Sequence, residues 1–261
     1  MGEAVRYETK GPVASIIIDR PETKNALGPE EWRQVRLGVI KATEDDACRL
    51  LVITGSHGNF CSGGDIRTMN ERLAEPPVIR RNRLARNARA IRALRDLPKP
   101  TVSVIDGHAT GAGLALALAC DVRISSSLSR FGASFHKVGQ TADFGITYLL
   151  PDAVGISKAL ELLLFSDVID AAEALRIGLV HRVFPSEEFA GEADELIEKL
   201  AALPTLAVGL TKQAVYRSQR MGLTAAMEYE AASQAIIGKT DDAAEGIKAF
   251  LEKRPPKFQG R

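Results

Sequence analysis

The stretch "GHATGAGLALALACD", Gly107–Asp121, places three glycines within seven residues, ahead of an apolar run that ends at a charged residue. Such a stretch could be a phosphate-binding loop, a membrane segment, or a turn whose backbone amides hold a reacting carbonyl group. The apolar run is bounded by Asp106 and Asp121 and has His108 inside it. It is too short to span a bilayer, so the membrane alternative is excluded.

The two most common phosphate-binding patterns also fail on this sequence. The dinucleotide pattern G-x-G-x-x-G/A can be placed on Gly111 and Gly113, but Leu116 stands where a small residue must let a helix approach a strand. No acidic residue lies at the distance of about twenty residues that would let it hold a ribose. The P-loop pattern G-x-x-x-x-G-K-[ST] is absent from the sequence.

A second glycine turn has the same layout as the first. The stretch "VITGSHGNFCSGGDI" runs from a strand pattern into a turn at Gly63, Gly64 and Asp65. The first amides of a helix have no partner inside the helix, so they point outward from a strand-to-helix turn. One amide from each turn could together hold a developing oxyanion. The alternative is that both glycine clusters only permit tight turns.

Composition limits the classes of function that remain. The 261 residues are 45% hydrophobic and 26% charged, and the formal net charge is +1. This balance predicts neither nucleic acid nor a membrane as a partner. The three cysteines have no paired spacing, which argues against a disulfide framework or a zinc site and fits a reducing compartment. We expect a cytoplasmic protein, because the first residues also lack the apolar segment of a secretory signal.

Strand and helix patterns alternate along the first part of the chain, which indicates an α/β fold. β-branched runs predict five strands, at 13–19, 49–55, 101–107, 121–125 and 179–184. Helical periodicity predicts helices at 30–43, 79–95, 157–164 and 171–177, followed by 189–203, 205–220, 223–237 and 242–253. We therefore expect an α/β core over residues 1–188 and a helical C-terminal region over 189–261.

Several motifs occur in a familiar order and at familiar spacing over nearly the whole chain. They are "RPETKNAL" (20–27), "GNFCSGGDI" (58–66), "KPTVSVIDGHATGAGLALALACDVRIS" (99–125), "AAEALRIGLVHRVFP" (171–185) and "DAAEGIKAFLEKRPPKF" (242–258). Together they resemble the enoyl-CoA hydratase/isomerase family, the crotonases. The resemblance implies a spiral of ββα units with a helical C-terminal trimerisation region. It also implies an acyl-CoA thioester substrate, no cofactor besides the coenzyme A of that substrate, and a homotrimer or hexamer.

The resemblance assigns roles to residues of both glycine turns and of the C-terminus. The two amides that hold the thioester carbonyl would be those of Gly64 and Ala112, where Ala112 replaces a glycine of many members. The residues matching positions that contact coenzyme A or the acyl group are Lys24, Ala26, Asp65, Ile66, Arg67, Phe135, Phe250 and Lys253. The last two match positions that often reach a neighbouring subunit's coenzyme A. The acyl pocket is expected to depend on residues 70–85, including a mobile loop around Pro76 and Pro77.

Both glutamates of the family's hydratases are missing. One hydratase glutamate lies on the helix after the second amide, where this chain has Ala115. The other follows a strand, at the position that Phe135 occupies here. Hydration needs a base for the water and an acid for the α-carbon, and neither an alanine nor a phenylalanine can serve. Simple hydratase activity is therefore in doubt.

One carboxylate matches a position of the family's isomerases. Asp143, followed by Gly145 in "GQTADFGITYLLPDAVG", stands where isomerases carry a proton-moving aspartate. A single acid/base suffices to isomerise an enoyl-CoA, and an apolar surrounding would raise the pKa of Asp143. Asp143 could also cap a helix that starts at Phe144, and the two roles do not exclude each other.

Three other activities remain open at this stage. They are hydration through Asp143 alone, a dehalogenase or hydrolase in which Asp143 is a nucleophile, and acyl-CoA binding without catalysis. The dehalogenases of the family also use a Trp-His pair that this chain lacks. His136, next to Phe135, could line the pocket.

Overall fold

Both glycine turns follow neighbouring strands of a six-stranded sheet: Gly107 comes directly after the strand Thr101–Ile105, and Gly63 and Gly64 lie in the loop after the strand Leu50–Gly55. The computed structural model describes residues 3–261, with the side chains of residues 70 and 71 outside this description. Within these residues the strands are β1 Val5–Lys10, β2 Val13–Ile18, β3 Leu50–Gly55, β4 Thr101–Ile105, β5 His108–Thr110, β6 Val122–Ser126, β7 Arg130–Gly132, β8 Val168–Asp170 and β9 Arg182–Phe184. The large sheet has the order β1-β2-β3-β4-β6-β9, and a three-stranded sheet has the order β5-β7-β8.

Helices connect the strands and then continue without strands to the C-terminus. They are α1 Pro29–Glu44, α2 Met69–Leu73, α3 Pro77–Asn87, α4 Arg89–Asp96, α5 Ala112–Ala119, α6 Ile146–Val154, α7 Ile156–Phe165, α8 Ala171–Arg176, α9 Phe189–Ala201, α10 Thr205–Ser218, α11 Leu223–Ile237 and α12 Asp241–Leu251. The pairing of β1 with β2 is antiparallel, whereas the remaining pairs of the large sheet are parallel. The predicted α/β class is therefore confirmed.

Both faces of the large sheet are covered, as is usual for parallel strands. Alternate residues of β3 point to opposite sides, so Leu51 and Ile53 join the main core while Leu50 and Val52 join a second cluster. Phe189, on α9, is part of that second cluster. The first helix of the predicted C-terminal region thus packs directly on the α/β sheet.

Helix α5 lies inside the main core and presents no polar face. All eight of its residues are buried, which explains why the sequence after Gly111 is continuously apolar. Its N-terminus is fixed by the turn at Gly111, whose φ of 54° favours glycine. The amide end of α5 is thereby held in one place relative to the sheet.

The five predicted strands are all present, although the last is shorter than predicted and begins at Arg182. The predicted helix at 79–95 is wrong as a single helix, because α3 ends at Asn87 and α4 begins at Arg89. The segment 70–85 is mostly helical, with α2 and α3 on either side of a short connection. None of the helices in the described part of the chain is long and apolar enough to cross a membrane.

Candidate functional site

The two glycine turns are tied together by backbone hydrogen bonds. The Cys61 amide donates to the His108 carbonyl at 2.8 Å, and the Thr110 amide donates back to the Cys61 carbonyl at 3.0 Å. The Thr110 hydroxyl also donates to the Ser62 carbonyl at 2.8 Å. These bonds fix the second turn, at Gly63 and Gly64, against the N-terminus of α5.

Glycines allow the two turns to touch. A Cβ on Gly63 would lie 2.9 Å from the Thr110 carbonyl oxygen and 3.6 Å from the Ala112 amide nitrogen, and the φ of Gly63 is 105°. A Cβ on Gly113 would lie 2.3 Å from the Cys61 carbonyl oxygen. A side chain at either position would force the turns apart. The spacing of these glycines therefore reflects a close approach of two backbone segments.

The amides of Gly64 and Ala112 are both available to a ligand. Within the described part of the protein, neither amide donates to a protein acceptor. Ala112 is the first residue of α5, so its amide has no partner in the helix and lies at the positive end of the helix dipole. Both residues line the same cavity. The two amides can donate hydrogen bonds to the oxygen of a polarised carbonyl group.

The cavity has a volume of about 580 Å³ and is mainly apolar. It is large enough for a small-molecule substrate. The residues lining it that bear on its chemistry are Trp32, Gly64, Asp65, Ile66, Arg72, Arg80, Arg83, Ala112, Phe135, Asp143 and Phe144. The cavity brings together Gly64, Ala112 and Asp143, the three residues that the sequence predicts to be catalytic.

Asp143 is a partly buried carboxylate in the wall of this cavity. Burial raises the pKa of its carboxyl group to about 6, and the positive charge of Arg80 opposes part of that rise. Its Oδ1 atom is buried and has no hydrogen-bond partner among the described residues. A carboxyl group with a pKa near neutrality is suited to accept and return a proton.

Asp143 does not cap a helix, contrary to the alternative drawn from the sequence. Helix α6 begins at Ile146, and Gly145 occupies the capping position without a side-chain hydrogen bond. Phe144 has a φ of 54°, an uncommon conformation for a bulky residue, and its ring stacks on Trp32 with centroids 4.4 Å apart. This turn directs the Asp143 side chain into the cavity.

The two positions that lack glutamate differ in their surroundings. Phe135 lines the cavity and is 9% exposed. Ala115 is fully buried on α5 and belongs to the main core rather than to the wall of the cavity. The sequence also predicts that Ala115 and Phe135 keep water away from Asp143. Phe135 shares the cavity with Asp143, but the prediction is wrong for Ala115, which does not line the cavity. His136 is exposed and does not line the cavity.

The residues predicted to contact coenzyme A form two groups. Asp65 is buried and accepts from Arg20 at 3.1 Å and from Arg67 at 3.0 Å, bonds that lower its pKa to about 2. Lys24 is exposed, and its carbonyl accepts from the Ser62 amide at 3.0 Å. Ile66 is 62% exposed at the edge of the cavity. These residues surround the second glycine turn.

Ala26 and the two C-terminal residues are placed differently. Ala26 is buried, and its carbonyl accepts from the Arg20 guanidinium at 2.7 Å. Phe250 is 85% exposed at the end of α12, and Lys253 follows that helix with a φ of 53°. Neither C-terminal residue lines the cavity of its own chain. Their contact with coenzyme A stays a prediction.

Three arginines in the cavity wall come from the segment 70–85 that the sequence predicts to shape the acyl pocket, although none of them was predicted individually. Arg72 lies on α2, and Arg80 and Arg83 lie on α3. The last two belong to the basic run "IRRNRLARNARAIRALR" (79–95), a pattern that is typical of an exposed helix with an apolar stripe. Their spacing of three residues, which places both side chains on one face of a helix, is the signal that could have identified them.

Comparison with known proteins agrees with this combination of fold and site. The family described as enoyl-CoA hydratase/isomerase matches residues 8–261. The crystal structure of an enoyl-CoA hydratase/isomerase from Cupriavidus metallidurans CH34 superposes with a TM-score of 0.92 at 32% identity, covering 99% of this chain and 97% of that one. A crotonase-fold acyl-CoA enzyme is therefore the class that fold and site define. The chain belongs to the enoyl-CoA hydratase/isomerase family.

Curated relatives carry out more than one reaction. The chain is 32% identical to the 1,2-epoxyphenylacetyl-CoA isomerase of Escherichia coli (strain K12), with complete coverage of both chains. It is 35% identical to the crotonyl-CoA hydratase of Syntrophomonas wolfei subsp. wolfei, covering 98% of each chain. The similarity thus establishes the family but leaves the choice between isomerase and hydratase to the site.

Proposed function

We propose that this enzyme isomerises the double bond of an enoyl-CoA, with Asp143 as the group that moves the proton. The observation that carries the proposal is the placement of Asp143 in one cavity with the free amides of Gly64 and Ala112. The carboxyl group has a raised pKa and an unpartnered oxygen, which favour proton transfer over a structural role.

The proposed reaction starts from a 3-enoyl-CoA. The Asp143 carboxylate removes a proton from C2, and the C–H electron pair moves toward the thioester carbonyl, leaving a dienolate. The amides of Gly64 and Ala112 donate to the enolate oxygen and stabilise its negative charge. Asp143, now protonated, returns the proton to C4 as the enolate reverts to a carbonyl group. The product is the conjugated 2-enoyl-CoA, and the carboxylate is regenerated.

Isomerisation fits the site better than hydration because a second acid/base residue is missing from the expected places. Phe135 covers the cavity with a ring that can neither activate water nor donate a proton. The remaining acid in the wall, Asp65, is held by two arginines and has a lowered pKa. Apolar surroundings also keep water from the dienolate. A relative named as an isomerase supports this choice, although the relatives named as hydratases keep hydration by Asp143 alone as the second candidate.

Product analysis tests the proposal. The enzyme is incubated with a 3-enoyl-CoA and, separately, with the 2-enoyl-CoA of the same length, and the products are separated by chromatography. We expect 2-enoyl-CoA from the first substrate and little 3-hydroxyacyl-CoA from the second. The rate should rise as the pH passes through about 6, because Asp143 must be ionised to act as a base. Hydration faster than isomerisation would favour the second candidate, and tight coenzyme A binding without turnover would indicate a non-catalytic protein.

Three further features belong to the same proposal. Coenzyme A enters as part of the substrate, and no other cofactor takes part. The subunits form a homotrimer or hexamer, which is supported by the apolar side chains that α11 and α12 leave exposed, Leu223, Met227, Ile236, Ile247, Phe250 and Leu251. The enzyme acts in the cytoplasm, in keeping with its three free cysteines.

A further inference from the structure

A cluster of basic side chains occupies one wall of the acyl-CoA cavity. We call Arg72, Arg80 and Arg83 the arginine cluster. All three line the cavity, and the charge of each lowers the pKa of one neighbouring carboxyl group, that of Glu75. Arg83 pairs with Glu75 at 2.8 Å, and Arg80 lies one helical turn before Arg83 on α3, so the cluster adds positive charge to one part of the cavity wall. A plain hydrocarbon acyl chain has no oxygen atom that could accept hydrogen bonds from them.

Glu75 forms an ion pair with only one arginine of the cluster. Arg83 binds it through two nitrogens, with Nε 3.0 Å and Nη2 2.8 Å from Oε2. Arg80 donates to the neutral side-chain amide of Gln140 instead. Among the described side chains, no carboxylate lies within 4.0 Å of the Arg72 or Arg80 guanidinium. Burial and the charge of Arg83 lower the pKa of Arg72, and the opposing charges of Asp65, Glu75 and Glu31 come from carboxylates that form no ion pair with it.

The acids of the cavity wall cannot neutralise the two guanidinium groups that Glu75 leaves without an ion pair. Asp65 already binds Arg20 and Arg67. Asp143 has to remain free to exchange its proton with the substrate, if the proposed function is correct. Two guanidinium groups are thus left facing a mainly apolar space. Covering them with a hydrocarbon chain would remove water from two charges without replacing it, which is unfavourable.

We propose that the acyl group of the substrate carries a second carboxylate, bound by Arg72 and Arg80. The substrate class is then the coenzyme A monothioester of an unsaturated dicarboxylic acid. Guanidinium groups bind carboxylates through paired, charge-assisted hydrogen bonds, which are stronger than those between neutral groups. The amides of Gly64 and Ala112 hold the thioester end, and the arginine cluster holds the far end. Asp143 lines the same cavity.

The inference rests on the proposed function for its reactive group, but its test does not depend on turnover. Calorimetry measures the binding of saturated thioesters in pairs of equal carbon number: glutaryl-CoA with pentanoyl-CoA, adipyl-CoA with hexanoyl-CoA, and suberyl-CoA with octanoyl-CoA. At the length that reaches the cluster, we expect the dicarboxylate to bind at least about tenfold more tightly than its neutral partner. Equal or weaker binding of the dicarboxylate at every length would overturn the proposal.

Variants connect the preference to the cluster. In Arg72→Gln/Arg80→Gln, the ratio of the two dissociation constants should fall below about threefold. Arg86→Gln is the matched control, because Arg86 is exposed on α3 and does not line the cavity, and it should keep the wild-type ratio. The ratio is taken within one preparation, so a partly unfolded variant does not change it. Arg80→Gln alone is a second variant that should lose part of the preference.

The outcomes separate the inference from the proposed function. If the arginines bind phosphates of coenzyme A, both thioesters of a pair weaken by the same factor in the double variant, and the proposal is wrong. If the dicarboxylate preference holds but no enoyl-CoA is isomerised, the proposed reaction fails while the substrate class stands. If isomerisation proceeds but the wild type shows no preference, the substrate class fails alone.

Discussion

At the scale of single residues, Asp143 shows how a site residue is placed at a cost in stability. Its carboxyl group has a pKa of about 6 in the folded protein, because burial disfavours the charged form. In an unfolded chain the pKa of an aspartate is about 3.9. The folded state therefore binds the proton more tightly, and stability declines as the pH rises from about 4 through 6.

Asp143→Asn should consequently stabilise the protein at pH 8 and not at pH 4. The gain in the free energy of unfolding at pH 8 should be roughly 2 kcal/mol, allowing for partial solvation of the side chain. Urea unfolding of both proteins at the two pH values measures it. Equal stability of the two proteins at pH 8 would mean that the carboxylate is not held in an unfavourable environment.

Resemblance to the family was enough to select Gly64, Ala112 and Asp143 as candidate site residues. The structure brings all three to one cavity, and their catalytic roles stay predictions. The arginine cluster could not be predicted in the same way. Arg80 and Arg83 lie in a basic run that favours an exposed helix, and only the packing of α3 across the cavity turns two of its arginines inward.

At the scale of elements, the N-terminus of α5 gives the most direct test of the oxyanion cradle. Proline is tolerated at the first position of a helix because that amide has no helical partner. Ala112→Pro should therefore preserve α5 while removing one donor to the enolate oxygen. We expect kcat to fall by about 10²- to 10³-fold, as for the loss of other oxyanion donors.

Ala112→Gly is the matched control, since it keeps the amide and should keep kcat within a few-fold. Circular dichroism and thermal unfolding establish that both variants fold. Activity of Ala112→Pro close to the wild type, in a folded protein, would show that the Ala112 amide does not bind the reacting oxygen.

Element prediction succeeded where the apolar pattern is clear and failed where it is short or interrupted by charge. Strands β2, β3, β4 and β6 and the C-terminal helices follow from β-branched runs and helical periodicity, whereas β1 was not predicted because charged residues interrupt its apolar pattern. Strands β5, β7 and β8 have three residues each, too few to show alternation, and they form because the chain brings them side by side. The break between α3 and α4 at Ala88 has no glycine or proline to mark it.

At the scale of the whole molecule, the C-terminal helices bear on the proposed assembly. Helix α11 has no buried residue in the single chain, and Leu223, Met227 and Ile236 are each more than half exposed on it. Exposed apolar surface of this kind indicates a contact with another chain. We expect sedimentation to give a trimer or hexamer of the 28.1 kDa chain.

Charge on this surface should disrupt the assembly. Met227→Glu/Ile236→Glu should sediment as smaller species than the wild type, because two carboxylates would have to be buried in the contact. A monomeric wild type, across the micromolar range, would contradict the proposed assembly and with it any role of Phe250 and Lys253 in a neighbouring site.

The central claim, that one carboxylate moves the proton, is tested most directly by turnover of a 3-enoyl-CoA by Asp143→Asn. The amide keeps the size of the side chain but cannot accept the proton from C2. The account predicts that kcat falls by about 10²- to 10⁴-fold, while calorimetry shows the dissociation constant of a saturated acyl-CoA within a few-fold of the wild-type value. Formation of the conjugated thioester at the wild-type rate by Asp143→Asn would contradict the account.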